Sequence, residues 1–213
     1  MNKLNSKKGF TLAETLMTLA LVGVLAATTM GIILPTIQDA QYKTEYKTVY
    51  SELDQATKMI MMDNGNSLKG VFLSNANMRN KYNQYLNFIK TCENGLSFGN
   101  CWHKMDGSSK LLNGAPITSW SDYAGAILNN GALLRIVSSS SNCTAVDGSL
   151  LKCGYMYLDI NGFKGPNTMG KDIQLVQILE NGIKPAGAGD SFGNSCTTSS
   201  GGWSCATEYL KGQ

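Results

Sequence analysis

The chain is poor in charge and in histidine. Only 15% of its 213 residues are Asp, Glu, Lys or Arg, and the net charge is +3. No field strong enough to draw in nucleic acid or an acidic substrate follows from that balance, and no specific nucleic acid is expected. His103 is the only histidine and no Cys-x-x-Cys occurs, so the common zinc spacings are missing. Acidic residues are also missing from the first thirteen positions, where Lys3, Lys7 and Lys8 are the only charges.

What is present is six cysteines, falling as neighbours: Cys92 and Cys101, Cys143 and Cys153, Cys196 and Cys205. An even count at short spacings in a chain without metal motifs reads as a disulfide framework made in an oxidising compartment. Six cysteines admit many connectivities, and nearest-neighbour pairing is the expectation among them. The length allows one domain, or at most two.

From Phe10 to Leu34 the only charge is Glu14. A helix of that length reaches about 38 Å, more than the roughly 30 Å of a bilayer's hydrocarbon core. The lysines ahead of it place the N-terminus in the cytoplasm and send the rest across. An ordinary secretory signal is the competing reading, with Val24-Leu25-Ala26 as its cleavage site. Glu14 argues against it, because an acidic residue at a membrane-centre position costs about 2.5–3.5 kcal/mol. So does the sequence that follows, which keeps helical periodicity. Tyr42, Tyr46, Val49, Leu53, Ala56 and Ile60 form one apolar stripe, while Lys43, Glu45, Lys47, Glu52 and Asp54 fall off it. The pattern predicts one long helix from about Phe10 to Asp63, locally disturbed but not ended by Pro35.

Gly9-Phe10-Thr11-Leu12-Ala13-Glu14, after a short basic leader and before an apolar helix, resembles the signature of type IV pilins and type II secretion pseudopilins. The resemblance rests on the N-terminal fifth of the chain. It implies that a membrane peptidase/methyltransferase cuts after Gly9, removing residues 1–9, and methylates the new amine of Phe10. Glu14 is then the fifth mature residue, and pairs with a neighbour's amine to set assembly register. The implied partners are that prepilin peptidase, other pilin or pseudopilin subunits and the assembly platform. The implied location is the inner membrane, crossed once with the head in the periplasm, and later a pilus or pseudopilus. The family's role is structural, not enzymatic. A minor pilin or tip adhesin whose head binds DNA, a surface or secreted cargo is the alternative.

The expected fold is α+β and pilin-like. Residues 10–34 form the transmembrane or fibre-core helix and 35–63 its amphipathic continuation. Residues 64–213 form a head with a small antiparallel sheet and disulfide-stapled loops. A second helix is expected over about 75–90, capped by Ser74 or Asn75, and Ser121–Leu128 reads as an ambiguous short helix. Strands are expected over about 132–137, 154–160 and 173–179, forming a meander. Between the last two, Asp159, Asn161, Asn167 and Asp172 gather hard oxygen ligands that suit calcium. Asn-Gly and Gly-Pro-Asn in that stretch are also plain turn formers, so the expectation is no cofactor, with calcium the one candidate. Gly189-Asp190-Ser191-Phe192-Gly193 fits a nucleophile-elbow pattern, but its flanks are neither strand nor helix and His103 lies upstream of it. His103 itself reads as a surface or loop histidine.

Overall fold

The structure, a computed structural model, describes residues 9–193 and 195–211; the expected leader lies almost wholly outside them. Helix α1 spans Leu12–Asp63 and includes position 35. The chain divides into two compact units, the second beginning at Tyr42.

In the first unit, Leu16, Met17, Leu19, Leu21, Val22, Val24 and Leu25 are all exposed. Its hydroxyls turn inward on the helix itself. Thr18 Oγ1 donates to the Thr15 carbonyl at 3.0 Å, and Thr28 Oγ1 to that of Val24 at 3.1 Å. Such back-bonding lets threonine sit in an apolar helix without an unmet polar group.

In the second unit the stripe on α1 is buried. Tyr46, Val49, Leu53, Ala56 and Ile60 are at most 2% exposed and join the same core as Leu134, Ile136, Met156, Leu158, Val176 and Ile178. Thr57 completes the contact within the helix's buried side, its hydroxyl bonding the Leu53 carbonyl and the Tyr82 hydroxyl, each at 2.7 Å.

Helix α2 covers Asn75–Tyr82, with Ser74 accepting the Asn77 amide as N-cap. It is half the length the periodicity predicts. Asn83 caps it, and Phe88–Cys92 forms strand β1. Three asparagines and glutamines after Tyr82 weaken the helix, and Phe88, Ile89 and Thr91 favour an extended chain once β2 is there to pair. Strand β2, Ala124–Leu128, replaces the short helix expected at Ser121–Leu128. Paired on both sides and almost wholly buried, it is a central strand whose apolar run carries no period-2 signal. Gly125 fits there because a Cβ would lie 2.9 Å from Cys101 Cβ.

The remaining strands are β3 (Leu133–Ser138), β4 (Ala145–Asp147), β5 (Leu150–Asp159), β6 (Ile173–Leu179) and β7 (Gly182–Pro185). All seven pair antiparallel in the order β1-β2-β3-β5-β6-β7, with β4 added to β5. The expected meander is β3, β5 and β6, with Arg135 opposite Tyr157 and Met156 opposite Val176. Helix α3, Cys205–Leu210, closes the chain. The fold is α+β with a long N-terminal helix, and disulfides join Cys92–Cys101, Cys143–Cys153 and Cys196–Cys205. No cysteine among the described residues is free.

Candidate functional site at the start of the first helix

Helix α1 begins one residue after Thr11, and its first turn carries Glu14. The Thr11 hydroxyl accepts the Glu14 amide at 3.3 Å. In return Glu14 Oε2 accepts both the Thr11 amide and the Thr11 hydroxyl at 2.9 Å. This is a capping box, which satisfies two of the donors that every helix start leaves open. A carboxylate here also meets the positive end of the helix dipole. Sequence reasoning missed Thr11; the signal was its spacing, Thr-x-x-Glu before an apolar run. Both bonds fall on Oε2, so Oε1 remains for another donor. Phe10, one residue ahead of the cap, is 86% exposed.

From Leu12 to Met30 the helix is long and apolar enough to cross a membrane, with no residue of that window buried inside the chain. Its exposed apolar surface fits membrane anchoring.

The second candidate is the β5–β6 connection. Asp159 ends β5, fully buried, and its Oδ2 lies 2.8 Å from His103 Nε2. His103 lies in a loop, one of the two settings expected, but is buried and not at the surface: Phe163 stands edge-on to its ring at 5.5 Å and Trp102 at 5.6 Å. Asp172 is also buried, its two oxygens accepting the Asn167 and Thr168 amides at 2.7 Å. Burial first, and then the Asp172 charge, push the Asp159 carboxyl well above the usual carboxylate range. Burial raises Asp172 too, against the amides that hold its charged form. Burial lowers His103 in spite of the Asp172 and Asp106 charges.

Within this loop Asn161 Oδ1 and Asn167 Oδ1 are buried acceptors with no donor, and the Asp159 carboxyl has only the Asn161 and Gly162 amides to add to His103. Orphan acceptors of this kind are what a hard cation satisfies. All are oxygens, so the donor set fits calcium by type. Among the described residues no three His, Cys, Asp or Glu side chains form a group suited to a metal ion; the four loop residues reach that number of oxygens only by counting amides.

Ser191, centre of the elbow-like pattern, donates its hydroxyl to Asp147 and lies in a turn. His103 is engaged at Asp159 instead, so the structure does not bring the two together.

Residues 4–30 match the family described as the prokaryotic N-terminal methylation motif. No curated protein and no solved structure matches the chain. The motif spans the cap, Glu14 and the apolar helix just described, and supports a subunit of pilin or pseudopilin type. The chain therefore carries the prepilin-type N-terminal signal of type IV pilins and pseudopilins.

Proposed function

We propose that this chain is a structural subunit of a type IV pilus or type II secretion pseudopilus, cut by prepilin peptidase and assembled through its N-terminal helix. The observation that carries the reading is Glu14 in the first turn of an exposed apolar helix, four residues beyond Phe10. Gly9 offers the peptidase an unhindered bond. Cleavage there leaves an amine on Phe10, and N-methylation keeps its positive charge. In lipid or a dry fibre core a carboxylate needs such a partner. Thr11 occupies only Oε2, so a neighbour's amine can take Oε1, and it can do so at one axial offset alone. The leader lysines and the oxidised cysteines both favour a periplasmic head on an inner-membrane anchor.

Intact-mass measurement of the protein from its own membrane should give a chain beginning at Phe10 and one methyl group heavier than the sequence predicts. A cut after Ala26, or none, rules the proposal out.

We also propose that the loop of Asp159, Asn161, Asn167 and Asp172 takes a calcium ion in the assembled protein, the carboxylates supplying charge and the amides neutral oxygens. Millimolar calcium should then raise the thermal midpoint by several degrees over a chelated sample, as ligand linkage requires. Asp159→Asn should erase the difference. Equal midpoints with calcium and with chelator would show that the loop's oxygens are met by water.

A further inference from the structure

Asparagine followed by glycine occurs six times in the chain, at Asn64, Asn94, Asn113, Asn130, Asn161 and Asn181. This pair carries chemistry of its own. Glycine has no side chain to shield its backbone nitrogen, and the chain there turns freely. Once deprotonated, that nitrogen can attack the asparagine Cγ and expel the side-chain nitrogen as ammonia. The five-membered imide left behind opens with water. Breaking its Cγ–N bond gives aspartate; breaking the bond from nitrogen to the backbone carbonyl carbon gives isoaspartate, with the chain running through Cγ. One water is consumed, one ammonia is released, and nothing is oxidised or reduced.

The attack needs a glycine N–H that can give up its proton and a backbone able to bring the nitrogen onto Cγ. A hydrogen bond from that N–H opposes both. Five of the six pairs are held in this way. Gly95 donates to the Asp122 carbonyl at 3.2 Å, Gly114 to that of Leu111 at 2.9 Å and Gly131 to that of Leu128 at 2.9 Å. The Gly162 amide bonds the Asp159 carboxyl, and Gly182 is paired with Leu179 in the β6–β7 ladder. Side-chain bonds add to the restraint. The Asn113 and Asn130 oxygens accept the Ala115 and Ala132 amides at 3.0 Å, and Asn161 Nδ2 donates to the Gly165 carbonyl at 3.1 Å.

Gly65 is the exception. Its amide has no acceptor among the described residues, although the amides on either side, of Asn64 and Asn66, reach the Met61 carbonyl at 3.0 and 2.7 Å. Asn64 and Gly65 are both exposed, in the turn that follows α1. One bond holds the Asn64 side chain, from Nδ2 to the Ile60 carbonyl at 2.7 Å, and Nδ2 is the atom that leaves. Exposure alone does not single out this pair, since Asn94, Asn113 and Asn181 are exposed as well. The free glycine amide does.

We propose that Asn64 is a self-modification site, the one Asn-Gly pair of the six that the folded head leaves open to conversion into aspartate or isoaspartate. The product alters the end of α1. The last turn of the helix carries no basic residue and ends on Asp63, so the new carboxylate is a second acid at the negative end of the helix dipole. The bond to the Ile60 carbonyl goes with the amide. The converted chain therefore frays from Ile60 to Asn66 while the sheet keeps its ladder.

The test is mass-spectrometric peptide mapping of the full, oxidised chain, purified in detergent and held at mildly alkaline pH. Asn64 should convert about tenfold faster than any of the other five, the factor one protecting hydrogen bond supplies. Its rate should rise with pH, because the nitrogen must first lose its proton. In the reduced, denatured chain the six rates should converge, since the same dipeptide is then unprotected everywhere. Equal rates in the folded chain would show that the fold selects nothing. An Asn64 that leads by as much in the denatured chain would hand the selection to its neighbours in sequence. Either result overturns the proposal. Asn64→Asp reads the consequence separately: amide exchange should rise from Ile60 to Asn66 and stay as it was in β3, β5 and β6. Unchanged exchange at the helix end would overturn the predicted fraying.

Discussion

Glu14→Gln is expected to leave cleavage, methylation and membrane insertion intact while removing the chain from fibres. The substitution separates two roles that alanine would abolish together. Glutamine can still reach back to the Thr11 amide, because a capping box accepts either residue, so the helix start survives. What is lost is the negative charge. If Glu14 pairs with a neighbour's amine in a dry core, removing one partner leaves the other uncompensated, which costs about 3–5 kcal/mol. That converts to a hundredfold or more per contact, repeated at every subunit. Recovery of the variant in fibres at the unaltered level would show that the carboxylate serves only as a cap. Recovery of Glu14→Gln but not Glu14→Ala would assign the effect to helix geometry and defeat the register argument.

The same region shows how unevenly the sequence disclosed the structure. The apolar stripe from Tyr46 to Ile60 was legible because a long amphipathic helix repeats its signal many times, and all five positions from Tyr46 on are buried. Strands β3 and β6 were legible for a related reason, as apolar, β-branched runs bounded by turn residues, and β5 by the alternation of Met156 and Leu158 with Tyr155, Tyr157 and Asp159. Strand β1 was not. Met78, Tyr82, Leu86 and Ile89 keep helical spacing, and only the presence of β2 beside Phe88–Cys92 makes an extended chain better there. Strand β2 was hidden by burial on both sides, which erases alternation. The short β4 and β7 exist because β5 and β6 offer them an edge.

The candidate sites divide in the same way. Gly9, Phe10 and Glu14 are adjacent in sequence, so a local motif marks them. Thr11 is equally local, three residues ahead of Glu14 as a capping box requires. His103 and Asp159, 56 residues apart, come together only when the β5–β6 connection folds over the Cys101 loop. No spacing rule carries that contact. A cavity beside α1 is a further case, since Lys164 and Glu45 line it from elements more than a hundred residues apart.

Full reduction is expected to unfold the head at a temperature where the oxidised protein is stable. The three disulfides close loops with separations of 9, 10 and 9 residues. In the chain-entropy account each withholds freedom from the unfolded state worth about 2.7 kcal/mol. Together that is about 8 kcal/mol, against a total stability of roughly 5–15 kcal/mol for a domain. For a head of this size the thermal midpoint should fall by roughly 15–30 °C on reduction. The three bonds should not be equivalent in what they release. Cys143 and Cys153 are both buried and close the base of the β4–β5 hairpin, and Ser139 and Ser140, just past β3, donate to the Cys153 carbonyl. Replacing that pair by alanine should lower the midpoint of the whole head. Cys196–Cys205 instead holds the tail that α3 ends, and α3 has its own tie through Thr207 Oγ1 and the Ala186 carbonyl at 2.7 Å. Losing it should raise amide exchange from Ser195 to Leu210 while the sheet stays protected. A reduced head that melts within a few degrees of the oxidised one would mean that the core of Tyr46, Leu53, Ile136 and Ile178 is sufficient by itself. Non-reducing peptide maps decide the premise, because any crossed pair would enclose longer loops and change every one of these expectations.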